Sequence, residues 1–107
     1  MQQRLLAQPM KQRWLDFSAC QHPLEAHQII REKLELPSAY GCNLDALWDA
    51  LTGLMYVPAE ITIVFRPKQP SETMRTCIEA IVAVFLEARD QYDEFILHAA
   101  IETGGTP

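Results

Sequence analysis

Glycine is scarce in this 107-residue chain, with four in all and two of them side by side near the C-terminus. No glycine-rich phosphate loop can be built from them, and no GxSxG or HExxH motif occurs, so the common nucleotide-binding and hydrolase signatures are absent. Cysteine is equally sparse. Cys20, Cys42 and Cys77 are odd in number and show no CxxC spacing, which argues against a disulfide scaffold and a zinc site. Long apolar runs are missing too. The longest, residues 80–86, is seven residues, far below the roughly 20 that span a bilayer. The first residues, MQQRLLAQPMKQRW, contain no apolar stretch of the kind that marks a secretory leader, so a reducing, cytoplasmic setting is expected.

Basic residues are the last shortage. Fourteen acids stand against nine bases, a net charge of −5. Between residues 34 and 65 there are four acids (Glu35, Asp45, Asp49 and Glu60) and no Lys or Arg. Such a surface lacks the cations that displace counterions from nucleic-acid phosphates, and it attracts cationic partners instead. A solvated acidic face kept for solubility is the plainer alternative. What is abundant is apolar material. At 49% hydrophobic and 21% charged, the chain can bury a core large enough to offset the entropy of ordering one domain.

Residues 1–12 read as a loose N-terminal arm, residues 13–102 as the folded domain, and residues 103–107 as a frayed tail. Residues 13–19 (RWLDFSA) suggest a strand. Pro23 suits the first turn of a helix whose stripe is Leu24, Ala26, His27, Ile30 and Leu34, with Pro37 as its stop. His27 is expected to be a hydrogen-bonded core histidine. After a loop in which Gly41 can take a positive φ, Asn43 is a good N-cap. Leu44, Leu47, Trp48 and Leu51 then form an inward-facing apolar stripe, closed by Gly53 as the residue after the helix. The nearly all-apolar run 61–65 suits a strand covered on both faces or lodged against helices. Ser71 and Glu72 begin a long helix through about Arg89, with Met74, Ile78, Ile81, Val82, Phe85 and Ala88 buried, and a last strand starts at Phe95. The order is β-α-α-β-α-β. Strand-to-strand connections of this length fit parallel crossovers, so the fold class is α/β with three parallel strands covered by helices in two layers.

Two constellations carry chemistry. Cys42 precedes a helix N-terminus, where a thiolate is favoured, and a nucleophile paired with His27 or His98 is conceivable beside the plainer reading of a small loop residue. Asp45 and Asp49 lie four residues apart on one helix face, with Cβ atoms roughly 6 Å apart. They can be merely solvated, they can be a catalytic or metal-binding pair short of a third ligand, or they can be two fixed carboxylates aimed at a partner's arginines and lysines.

Residues 36–53, LPSAYGCNLDALWDALTG, closely resemble the signature of the barstar family, small intracellular inhibitors of secreted bacterial ribonucleases of the barnase type. The family core Tyr-Gly-x-Asn-Leu-Asp-Ala-Leu-Trp-Asp-x-Leu-Thr-Gly is matched at every specified position from Tyr40 to Gly53, and the likeness extends over about residues 13–100. The resemblance implies a non-enzymatic inhibitor, a monomer that forms a 1:1 complex with a basic ribonuclease. It implies no cofactor, no metal, and no nucleic-acid or membrane partner. It also implies roles: Asp49 in the enzyme's phosphate pocket, Asp45 beside it, Glu87 in a peripheral charge pair, and Tyr40, Asn43 and Gly53 lining the contact surface. Ala39, Cys42 and Leu54 depart from the usual aromatic, acid and Trp of the family. A barstar-like module for a different basic protein, or a small cysteine or carboxylate enzyme, are the alternatives.

Overall fold

The computed structural model describes residues 11–54, 59–69, 71–91 and 95–101 of the chain. The expected arm up to Met10, the tail at 103–107, Pro58, Pro70 and residues 92–94 lie outside the described residues. The elements are β1 (Lys11–Asp16), α1 (Pro23–Lys33), α2 (Leu44–Asp49), a π-helical turn (Ala50–Leu54), β2 (Ala59–Phe65), α3 (Glu72–Gln91) and β3 (Phe95–Ile101). The order is the β-α-α-β-α-β expected from the sequence. All pairing is parallel in the sheet order β1-β2-β3, with Arg13 opposite Ile61 and Ile61 opposite Leu97.

One face of that sheet carries Leu15, Ile61, Ile63 and Phe65, all fully buried, with Phe17 just beyond β1. Helix α3 meets them with Met74, Ile78, Ile81, Phe85 and Ala88, and α1 with Ala26 and Ile30. Burying side chains of this size contributes roughly 1.5–3 kcal/mol each relative to leaving them in water. The opposite sheet face is open: Trp14 is 60% exposed and Ile96 42%. Of the two arrangements expected for residues 61–65, covered on both faces or lodged against helices, the structure shows the second. Thr62 and Val64 are only half-buried, because every helix that crosses over packs on the other side.

Other local differences have physical reasons. Strand β1 begins at Lys11, two residues before the expected start, through pairing with Ala59 and Glu60. Helix α1 ends at Lys33, well before Pro37. Its stop is Glu35 at φ 57°, which lets the amides of Leu36 and Glu35 donate to the carbonyls of Arg31 (2.9 Å) and Glu32 (3.2 Å). Left-handed glutamate is unfavourable, and this one is braced by an Arg13–Glu35 ion pair at 3.1 Å. Helix α3 starts as expected: Ser71 Oγ accepts the Met74 amide (3.1 Å), and Glu72 heads the first turn.

Candidate functional site

The segment from Pro37 to the π turn is built from α2 outward. Asn43 caps α2, its Oδ1 accepting from the Ala46 amide at 2.7 Å. Leu47 and Leu51 are buried and Trp48 packs half-buried against the core, which anchors the helix on α3. Leu44, expected in the same stripe, is 40% exposed, because the first turn of α2 projects past the core. Gly53 does not end the helix in a left-handed turn. It lies inside the π turn, where the Thr52 hydroxyl donates to the Trp48 carbonyl at 2.7 Å. The left-handed residue of the preceding loop is Cys42, at φ 56°, and Gly41 serves a different need. A Cβ on Gly41 would sit 3.3 Å from Ala46 Cβ, so glycine lets the loop rest on the helix.

This loop and helix enclose a groove of about 400 Å³ with mostly apolar walls: Pro37, Ala39, Tyr40, Gly41, Ala46 and Ala50, with Gly53 and the one charged residue Asp49. Tyr40 is fixed from below. Its hydroxyl lies 2.8 Å from Nδ1 of His27, which is 6% exposed on α1, and the two rings pack at 5.9 Å. Burial holds the His27 imidazole below its ordinary pKa, so it is neutral near pH 7, and burial pushes the Tyr40 phenol upward. The expectation that His27 is a hydrogen-bonded core histidine holds. Asp49 is exposed on the groove wall, and Asp45 is exposed one turn earlier.

The comparison with known proteins meets the fold at this segment. Over residues 10–102 the sequence matches the family described as Barstar (barnase inhibitor). The chain belongs to the barstar family. The Bacillus subtilis (strain 168) protein named "Putative ribonuclease inhibitor YrdF" is 38% identical over 71 residues, covering 64% of this chain and 76% of that protein.

In this barstar-family chain the groove gathers three of the residues expected at the contact surface: Tyr40, Asp49 and Gly53. Asn43 does not line the groove; it caps α2, and its amide nitrogen lies 3.4 Å from the Gly41 carbonyl. Asp45 is not a groove wall. Neither is Glu87, which is exposed on α3, the helix that α2 packs against. The thiol alternative finds no support in the geometry. Among the described residues no hydrogen bond joins Cys42 to a histidine: His27 meets Tyr40, and His98 meets Glu60 at 2.8 Å on the open sheet face. Among the described residues, too, no three His, Cys, Asp or Glu side chains converge where a metal could sit. Sequence reasoning missed the groove's small residues, although Ala46 and Ala50, one helical turn apart, signal a face that another segment can approach.

Proposed function

We propose that this barstar-family chain inhibits a barnase-type ribonuclease by seating α2 and the loop before it in the enzyme's active site. The supporting observation is the groove: a single carboxylate, Asp49, stands exposed on otherwise apolar walls, on a helix whose cap and core contacts fix its direction. A nuclease must hold an RNA phosphate with cationic donors, and a fixed carboxylate can take that place. Arg side chains can fork onto it, and the apolar surround excludes water from the contact. Asp45 meets the same cationic surface one turn away. Tyr40 and Gly53 shape the groove around the incoming chain, and Asn43 keeps the loop closed. Glu87 adds a charge pair at the rim, where solvent weakens it. The chain acts as a cytoplasmic monomer in a 1:1 complex, without a cofactor and without catalysis of its own.

The test is RNA cleavage by a barnase-type nuclease at increasing concentrations of this protein. Stoichiometric loss of cleavage, with a 1:1 complex on size exclusion, is the expected result. A complex with full nuclease activity would instead make the protein a binding module for another surface, and no complex with basic nucleases at all would overturn the reading.

A further inference from the structure

The sheet face turned away from the helices is built from alternate residues of all three strands. Register places Trp14 of β1 beside Thr62 of β2 and His98 of β3, with Gln12 and Glu60 one row before them and Asp16 and Val64 one row after. Parallel sheets are ordinarily covered on both faces, because the crossovers between their strands bring helices to each side. Here both crossovers lie on one side, and among the described residues no helix packs on the other. Trp14 and Ile96 are left exposed there, and Thr62 and Val64 half-exposed between them. A contiguous apolar patch of this kind marks a contact surface more than scattered apolar residues do.

The margin of the patch is polar and its charge has one sign. Glu60 accepts from Gln12 Nε2 at 3.3 Å and lies 2.8 Å from His98 Nε2, so side chains on both neighbouring strands hold its carboxylate in place. Asp16 stands at the other end of the face, where its Oδ1 accepts the Ser18 amide at 3.0 Å, and a carboxylate has further lone pairs to offer. None of the nine outward positions of the three strands holds a Lys or Arg. An apolar centre with a polar margin is the anatomy of a protein contact, and Trp is among the residues that most often anchor one.

We propose that this face docks one short amphipathic helix of a partner protein, apolar where it meets Trp14, Val64 and Ile96 and bearing Lys or Arg where it passes Glu60 and Asp16. The dimensions select a single helix. Neighbouring strands lie about 4.8 Å apart, so three span roughly 10 Å, the width of one helix and not of two. From Gln12 to Asp16 the strand rises about 13 Å, which a helix covers in about nine residues. Glu60 and Asp16 sit at opposite ends of that length, so basic residues about seven or eight apart, on one side of the helix, reach both. The charge selects the partner's sign. A second copy of this chain would set the same acids against each other, and a nucleic-acid or anionic membrane surface is repelled in the same way. The surface is independent of nuclease inhibition, since α2 and the groove belong to the helical layer on the other side of the sheet.

The experiment is an amide NMR titration of the full chain with a leucine–lysine peptide whose spacing makes it an amphipathic helix. Two controls accompany it: the same peptide with glutamate for every lysine, and one of the same composition in strict alternation, which favours a strand. Expected are saturable shifts at Trp14, Thr62, Val64 and His98 with the helical peptide, none with the glutamate peptide, and at least fivefold weaker binding of the alternating one. Trp14→Ala should weaken the helical peptide at least tenfold while leaving nuclease inhibition unchanged. Asp16→Asn combined with Glu60→Gln should weaken it at least fivefold and flatten its salt dependence, and Asp49→Ala should leave it as it is. Absence of saturable shifts on this face, shifts centred on the groove, equal binding of either control, or an affinity that Trp14→Ala does not change would overturn the proposal, whatever the nuclease assay shows. So would self-association of the free chain that Trp14→Ala abolishes in sedimentation, which would give the face to a second copy.

Discussion

Replacing Asp49 with alanine should strengthen the fold and ruin the binding surface at once. Asp45 and Asp49 are both exposed and four residues apart, and neither forms an ion pair within the described residues. Removing one relieves a like-charge contact of about 0.2–0.5 kcal/mol. Asp49 also ends the α-helical part of α2, whose last turn holds no base, and an acid there opposes the helix dipole by about 0.3–1 kcal/mol. The low end of that range applies, since the helical path continues into the π turn. Alanine's better helix propensity adds up to about 0.7 kcal/mol. The sum is a stabilisation of about 0.5–1.5 kcal/mol, which calorimetry reads as roughly 4–8 °C of Tm per kcal/mol in a domain of this size. In a complex that seats Asp49 among cationic donors, the same change leaves those donors buried and unpaired. The loss is about 2–5 kcal/mol, roughly thirty-fold to several-thousand-fold in Kd, and mostly in dissociation. Glu87→Ala, exposed on α3, should cost no more than about 1 kcal/mol. Titration calorimetry of both variants against the nuclease decides the matter. A lower Tm for Asp49→Ala, binding within fivefold of wild type, or a larger loss for Glu87→Ala would refute the reasoning.

The His27–Tyr40 pair gives a pH dependence. Burial puts the folded imidazole below its ordinary value of 6.5, so below that pH the unfolded chain takes up a proton that the folded chain resists. The contribution to stability is therefore complete above pH 6.5 and is lost as the pH falls through the folded value; urea melts from pH 8 to 5 should show this slope in wild type and not in His27→Gln. Tyr40→Phe removes the partner of a buried nitrogen and should cost about 1–3 kcal/mol in the same melts. Gly53→Ala meets nothing within 4 Å of the new Cβ and removes a helical glycine, so Tm should hold or rise, by up to about 1 kcal/mol in stability, while the narrowed groove weakens the nuclease complex measurably by calorimetry. Iodoacetamide at pH 8, followed by mass spectrometry, should label Cys20 slowest of the three thiols, because it is buried and titrates only at about 11. Association with a cationic nuclease should slow steeply as salt rises while dissociation changes less, as stopped-flow at two ionic strengths would show; equal association rates would leave the acidic surface a solubility device.

Periodicity and caps made most of this fold legible. The spacing of Met74, Ile78, Ile81 and Phe85 located α3 and its buried face, and Asn43 fixed the start of α2, because each is a local rule that tertiary packing did not overrule. The failures fall where the deciding contact is distant in sequence. The run 61–65 leaves open whether one face or both is covered, because β-branched residues suit a strand whichever face they occupy, and only the placement of both crossovers on one side leaves Thr62 and Val64 half-buried. Leu44 fits the stripe by spacing, yet it stands beyond the edge of α3's cover. Gly41 and Gly53 were read for backbone freedom, whereas one permits close approach to Ala46 and the other lies in a π turn that no local signal announces. In the site, the acids were visible as residue types. The groove between them and the loop was not, since it depends on the His27–Tyr40 bond across thirteen residues.

That bond bears on why six residues of α-helix can present a carboxylate reproducibly. A helix as short as α2 is unstable alone, because nucleation uses most of what a few hydrogen bonds return. Its direction comes from outside: the Asn43 cap at one end, the Thr52–Trp48 bond at the other, and Leu47 and Leu51 buried between them. The loop that forms the opposite groove wall is fixed by different means, through Tyr40 to α1 and through Gly41 against Ala46. Two anchored walls, touching each other at Gly41 and Ala46, set the width of the groove. An Asp49 so held needs little further ordering when a partner arrives, and ordering costs of about 0.5–1.5 kcal/mol per side chain are among those that most reduce affinity at polar contacts. The mutual repulsion of Asp45 and Asp49 works in the same direction. It is a small instability of the free protein, and a cationic partner seated at this pair would return that free energy on binding.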